Sequence, residues 1–286
     1  MIALSGVCTA LVTPFSKGEL DLESLQSLVE RQIQAGVHGL VPCGTTGETP
    51  TLSQEEWAAV IRTTVEVTKG RVPVIAGCGS NSTQQTVQNI KAAQALGADA
   101  ALVVFPYYNK PNAAGLQAHV DAACAVGLPI VLYHVPGRTG QRLNAALLDQ
   151  LCRTEGVIAL KEATGDVTLG QELCNRLSDT NVALLSGDDF TYAAAVAMGF
   201  AGVISVLSNP APAQSVAWFE AARSGDIATL RAYRQRLLPV VDALFSSTNP
   251  IPCKGMMAGM GLLQNECRLP LVAEPVPDPA FWSELS

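Results

Sequence analysis

Apolar residues along the first two hundred positions fall into two alternating kinds of run. Short, β-branched, continuously apolar stretches lie at 6–12, 39–43, 72–77, 100–105, 130–135, 157–161, 182–186 and 202–206. Between them come longer stretches of helical period, at roughly 21–36, 53–69, 83–96, 113–126, 143–155, 167–178 and 189–199. Ser53-Gln-Glu-Glu56 has the spacing of a capping box, and Asp21 and Asp166 each stand where a helix cap belongs. Strands that are apolar throughout belong to parallel sheets covered on both faces. Eight of them alternating with helices predict an α/β fold, a (β/α)8 TIM barrel, in preference to a doubly wound sheet.

The open-sheet alternative rests on Gly77-Cys-Gly79-Ser-Asn-Ser82, which loosely resembles a dinucleotide fingerprint. It lacks the third glycine, and Asp99 precedes its strand where a ribose-binding acid would end one. After Ser208 the pattern becomes purely helical: a segment from Asn209-Pro-Ala-Pro212 to about Arg223, a long helix to about Phe245, and a shorter one near 253–260. The expected organisation is a barrel over residues 1–208 with a C-terminal helical appendix, 209–286, packed on it. Arg231, Arg234 and Arg236 read as a solvated or inter-helix face of the long helix.

Composition narrows the classes. The 286 residues are 48% hydrophobic and 15% charged, enough for a large core. A net charge of −7 and a pI near 5.0 argue against nucleic acid or acidic membrane as partner. Eight cysteines are scattered singly, with no Cys-x-x-Cys pair, as suits reduced, buried thiols better than disulfides or zinc. The first fifteen residues lack a basic n-region, and the longest apolar run, 193–207, is shorter than the ~18 residues of a membrane helix. A soluble cytoplasmic protein is expected.

Barrel enzymes work at the C-terminal ends of their strands, so the residues that follow each strand matter most. They are Gly44-Thr-Thr-Gly-Glu48, Tyr107 and Tyr108, Tyr133 running to Val135-Pro-Gly-Arg138-Thr-Gly140, Lys161, Gly187-Asp-Asp189, and Ile204 with Ser205. The three histidines (38, 119, 134) are far apart, so no metal site is expected, and nothing calls for a cofactor. Two aspartates in the seventh loop would repel phosphate. What remains is an amine, phenols, hydroxyls and a guanidinium.

Lys161 closes the apolar run Val157-Ile-Ala-Leu, where an ammonium is costly to bury and a neutral amine can act as a nucleophile. Of the other lysines, Lys17 and Lys110 fall in turn-like sequence and Lys69, Lys91 and Lys254 in helix-like segments, none placed like Lys161. The set fits imine chemistry on a keto acid. Lys161 would attack the ketone, Tyr133 on the neighbouring strand would move protons, the Gly44–Gly47 turn would take a small carboxylate, and Arg138 a second one. Taken singly, these features are ordinarily turn chemistry, packing or surface charge. Their coincidence at strand C-termini of one barrel favours the functional reading.

Gly44-Thr-Thr-Gly-Glu48, Tyr107-Tyr108-Asn109, Tyr133-His-Val-Pro-Gly-Arg-Thr-Gly140, Lys161-Glu-Ala-Thr164, Ser186-Gly-Asp-Asp189 and Gly202-Val-Ile-Ser205 together resemble the dihydrodipicolinate synthases (4-hydroxy-tetrahydrodipicolinate synthases). The likeness continues through Asn249-Pro-Ile-Pro252 and Arg268-Leu-Pro-Leu271, so it spans essentially the whole chain. It implies condensation of pyruvate with aspartate 4-semialdehyde on the way to diaminopimelate and lysine. Lys161 would be the Schiff-base lysine, with Tyr133, Thr45 and Tyr108 forming a proton relay. Thr46 and the backbone of Ile204 would hold pyruvate, Arg138 would receive the semialdehyde carboxylate, and Gly187 would belong to the substrate-binding set. Tyr108 would serve the neighbouring subunit of a homotetramer, a dimer of dimers.

A regulatory lysine site in the family corresponds here to Asn81, Tyr107, Gln85, Trp57, Gln54 and Thr49. Lysine-sensitive members typically carry histidines in place of Gln54 and Trp57 and a glutamate in place of Gln85. Loss of that carboxylate removes a charged hydrogen bond of roughly 1.5–3 kcal/mol, so weak or absent feedback is expected. His134 stands where asparagine is usual, and Cys43 lies close to the turn. The competing readings are another pyruvate aldolase, such as an N-acetylneuraminate lyase or keto-deoxy sugar acid aldolase, and a non-catalytic keto-acid binder. The first generally lacks an arginine at Arg138, and the second would be expected to have lost the lysine or tyrosines.

Overall fold

The computed structural model describes residues 4–283 and 285. Eight parallel strands form its centre: Gly6–Ala10 (β1), Gly39–Val41 (β2), Ile75–Gly77 (β3), Ala100–Val104 (β4), Ile130–His134 (β5), Val157–Glu162 (β6), Ala183–Ser186 (β7) and Gly202–Ser205 (β8). Their order is β2-β1-β8-β7-β6-β5-β4-β3, and a parallel bridge between Leu40 and Val74 joins the two ends. At that junction Leu40 N donates to Pro73 O and Gly77 N to Pro42 O, each at 2.9 Å. The sheet is therefore the closed barrel that the alternation of strands and helices predicts.

Around it run Leu22–Gln34 (α1), Gln54–Thr68 (α2), Thr83–Ala95 (α3), Ala113–Cys124 (α4), Ala145–Cys152 (α5), Val167–Arg176 (α6) and Tyr192–Ala197 (α7). Ser53 and Glu56 form the reciprocal capping box, Asp21 caps α1, and Asp166 caps α6. Side chains alternate inward and outward along each strand. On β6, Ala159 joins the interior cluster with Val41, Leu102, Tyr133 and Ile204, while Leu160 packs outward against the helices. Lys161, two residues past Ala159, thus points inward at the mouth of the barrel.

Three helices complete the chain: Pro212–Ser224 (α8), Ile227–Leu244 (α9) and Ile251–Gly259 (α10). Trp218, Phe219, Leu237 and Met256 share one hydrophobic cluster with Val7 and Leu207, so the C-terminal helices and the barrel bury each other's apolar faces. Arg231, Arg234 and Arg236 lie exposed on α9.

Several boundaries differ from the sequence expectation for identifiable reasons. β3 begins three residues late, at Ile75, because Pro73 has no N–H to give the ladder. α7 spans only Tyr192–Ala197, because Asp188 and Asp189 are held in the preceding loop by side-chain bonds. A small antiparallel ladder, Phe15–Ser16 with Glu19–Leu20, turns through Lys17 and Gly18, both at positive φ. Gly77 and Gly79 have no part in a nucleotide loop. A Cβ on Gly77 would fall 1.8 Å from Cys43 O, and one on Gly79 2.4 Å from Val104 N. Both glycines are there because backbones touch.

Candidate active site

A cleft of about 440 Å³ opens at the C-terminal end of the barrel. Lys161, Tyr133, Thr45, Thr46, Arg138 and Gly187 all line it. The sheet register sets the central pair. Tyr133 on β5 lies directly opposite Lys161 on β6, and the lysine Nζ sits 4.2 Å from the phenol ring centroid. Lys161 is 7% exposed, and among the described residues it has no carboxylate or hydrogen-bond partner.

No other lysine stands at a strand end as Lys161 does, but Lys161 is not the most buried. Lys254, on α10, is 0% exposed, more buried than Lys161. The two differ in company: Lys254 Nζ donates to Glu48 Oε1 at 2.6 Å and is held as one half of an ion pair. Of the two, Lys161 alone presents its amine to an open cavity without a counter-ion among the described residues. Beneath it, burial pushes the Cys8 thiol up to about 12, an effect that the nearby Lys161 charge partly opposes. Cys8 is therefore a protonated, apolar neighbour at neutral pH.

Gly187 has a specific steric task. A Cβ there would stand 2.7 Å from Ala163 Cβ and 2.8 Å from Lys161 Cε. Glycine at this position leaves room for the aliphatic stem of the lysine. The adjoining Asp189 is buried, and it accepts from Ser205 Oγ (2.6 Å), Val206 N (2.8 Å) and Leu207 N (3.0 Å). Burial pushes its carboxyl above the usual range, and those three bonds work against the shift. Asp188, on the rim, accepts from Thr191 Oγ1 at 2.5 Å.

The Gly44 turn folds as a 3-10 turn, Thr45–Gly47, so Thr45 and Thr46 face the cleft side by side. Thr46 Oγ1 accepts from Asn249 Nδ2 at 2.9 Å. Asn249 O in turn accepts from Arg138 Nη2 at 3.3 Å, which fixes the guanidinium at the rim. Ile204 is buried in the barrel interior and does not line the cleft. Tyr108 does not either. It is 89% exposed at φ 72°, so within one chain the structure leaves Tyr108 apart from Tyr133 and Thr45.

A second cleft of about 310 Å³ shares Gly44, Thr45, Tyr133 and Arg138 with the first and adds Cys43, Thr49 and Tyr107. Of the remaining positions named for a regulatory site, Trp57 is buried, with its indole N–H donating to Gly77 O at 3.0 Å. Gln54 and Gln85 are exposed, and Gln85 Nε2 is bonded to Asn89. Asn81 is half-buried, its carbonyl accepting from Asn109. His134 faces away from the cleft. Leu143 N donates to its Nε2, which leaves the ring proton on Nδ1 to donate to Glu162 Oε1 at 3.2 Å.

Sequence reading missed Asn249 and the Glu48–Lys254 pair as parts of this region. Asn249-Pro-Ile-Pro252 carried a visible turn signal, but nothing local showed that the turn reaches a loop two hundred residues away.

A closed parallel barrel with an unpaired lysine amine at the end of its sixth strand, facing a tyrosine across one strand pair, defines a lyase of the class I aldolase type. Within that class the chain belongs to the dihydrodipicolinate synthetase family, whose model matches residues 3–275. The 4-hydroxy-tetrahydrodipicolinate synthase of Sorangium cellulosum is 49% identical over 275 residues, 95% of this chain and 91% of the relative. That of Methanoculleus marisnigri is 45% identical over 269 residues, covering 93% and 92%. The crystal structure of the chloride-inhibited dihydrodipicolinate synthase from Acinetobacter baumannii, complexed with pyruvate, superposes with a TM-score of 0.92. It is 39% identical, with 98% of this chain and 96% of that chain covered.

Proposed function

We propose that this enzyme condenses pyruvate with L-aspartate 4-semialdehyde to give 4-hydroxy-tetrahydrodipicolinate, in lysine and diaminopimelate biosynthesis. The observation that carries the reading is the Lys161 amine, open to the cleft, without an ion-pair partner among the described residues and stacked on Tyr133. The free amine adds to the pyruvate ketone and expels water as the imine forms. Loss of a methyl proton then gives an enamine, whose carbon attacks the semialdehyde carbonyl, and the aldehyde oxygen takes up a proton. The amino group of the second substrate finally displaces Lys161 from the imine carbon, closing the ring and freeing the enzyme. Overall, the two substrates give the hydroxylated ring and one water.

Each step moves a proton, and Tyr133 is the nearest phenol able to give and take one, with Thr45 beside it. Thr46 and the turn N–H groups suit the keto acid carboxylate, and Arg138 suits the carboxylate of the semialdehyde. Gly187 serves by admitting the lysine. Tyr108 would complete the relay from a neighbouring subunit of a dimer of dimers, a reading that its exposure supports.

Borohydride reduction in the presence of pyruvate, followed by intact mass, tests this directly. One reduced pyruvyl group should appear on Lys161, and none on a Lys161→Ala variant. An unmodified parent protein would refute the reading.

A further inference from the structure

The Gly44–Glu48 turn is held from behind by the C-terminal segment. Glu48 stands at φ 52°, and its backbone belongs to two successive 3-10 turns. Its N–H donates to Thr45 O at 3.1 Å, while its carbonyl accepts from Thr51 N and Thr51 Oγ1, each at 3.0 Å. Few non-glycine residues sit in the left-handed region unless their surroundings hold them there. What holds Glu48 is its side chain. One carboxylate oxygen accepts from Lys254 Nζ at 2.6 Å and the other from Arg268 N at 2.9 Å. Lys254 also lies 4.3 Å from the Phe15 ring centroid, and the Arg268 guanidinium approaches the same ring at 4.3 Å.

Both side chains of the pair are essentially inaccessible to water, at 0% and 1% exposure. A buried ion pair is often no more stabilising than an apolar pair of the same volume, but its directional bonds define one geometry. Here the geometry so defined is that of the residue directly following Thr45, Thr46 and Gly47. A third bond, from Asn249 Nδ2 to Thr46 Oγ1, comes from the same C-terminal segment.

We infer that Glu48 and Lys254 are positioning residues for the keto acid. The pair, locked by Arg268, sets the angle of the Thr45–Thr46 turn and so tunes binding of the first substrate and not the second. This rests on the proposed reading that pyruvate is held by the turn and by Lys161. Arg138 sits on the loop after β5 and bonds to the main-chain oxygen of Asn249, not to either member of the ion pair. Binding of the semialdehyde should therefore respond much less.

The test compares the parent with Glu48→Gln/Lys254→Met, which removes both charges together and leaves no lone buried ion. The double variant should fold and should trap pyruvate on Lys161 under borohydride. Its KM for pyruvate should rise about tenfold, with KM for the semialdehyde within about twofold of the parent. A pair that merely supports folding would lower the amount of trappable enzyme and leave both KM values alone, and that result overturns the proposal. Should the double variant not fold, Glu48→Gln alone, which keeps the side-chain volume and an acceptor, decides by the same split. Failure of both to fold would make the pair a folding element and equally overturn the inference. If the parent itself traps no pyruvate, the underlying functional reading has failed. If the parent traps it and the KM ratio is unmoved, only the positioning role has.

Discussion

Lys161 and Lys254 are both buried lysines, and their partners separate their fates. Lys254 has a carboxylate at 2.6 Å, whereas Lys161 has a tyrosine ring and a cavity. Replacing Lys161 by alanine should lower kcat by a factor on the order of 10³ or more, since the covalent route is lost altogether. Gly187→Ala should lower kcat by about a hundredfold through displacement of the Lys161 stem, and should also lower the melting temperature, since the new Cβ meets the rigid Ala163 Cβ; steady-state kinetics beside a melting curve checks both halves. Lys161 was legible in the sequence because a charged pair, Lys161-Glu162, closes an otherwise apolar strand, a purely local signal. Burial of Lys254 was not legible, because it depends on Glu48, 206 residues earlier. The same limit applies to Trp57. Its proximity to the regulatory positions is a matter of sequence, but its indole is committed to Gly77 O inside the core. With Gln85 exposed and uncharged, lysine should inhibit weakly or not at all, and half-maximal inhibition below a millimolar would contradict this.

At the scale of elements, the eight strands and their helices follow from continuous apolar runs separated by capped amphipathic segments, and these are local patterns. The edges were less legible. Where a strand ends depends on which neighbour its backbone meets, as at Pro73, and where α7 begins depends on Asp189. That aspartate ties the loop after β7 to the end of β8 through three donors, Ser205 Oγ, Val206 N and Leu207 N. Asp189→Ala should therefore cost on the order of 3 kcal/mol or more, since three buried donors lose their acceptor. Denaturant unfolding would measure it, and a loss below about 1 kcal/mol would show that water readily replaces the carboxylate.

For the molecule as a whole, no helix among the described residues is long and apolar enough to cross a membrane. Five of the eight cysteines are buried, and burial raises their thiols, those of Cys8 and Cys152 to about 12. The fold thus keeps these protons above the ordinary thiol value near 9.0, where the unfolded chain releases them. Stability from this source is whole below pH 9 and falls as pH rises towards 12. At pH 8 the native protein should expose at most the three half-buried thiols, Cys124, Cys174 and Cys267, to a disulfide reagent, and the denatured protein all eight. If Tyr108 completes a neighbouring subunit's site, specific activity should fall on dilution below the dissociation constant of the dimer, and sedimentation should show the same transition.

The junction between β2 and β3 joins the barrel through one bridge and two flanking bonds, whereas β5 and β6 are paired over five positions. A cylinder whose staves are unequally fastened parts first at its thinnest fastening. Deuterium should accordingly enter at the amides of Leu40 and Gly77 well before those of Leu132 and Leu160. The first motion of the folded enzyme would then loosen the two threonines from one side while leaving the lysine and its tyrosine clasped on the other.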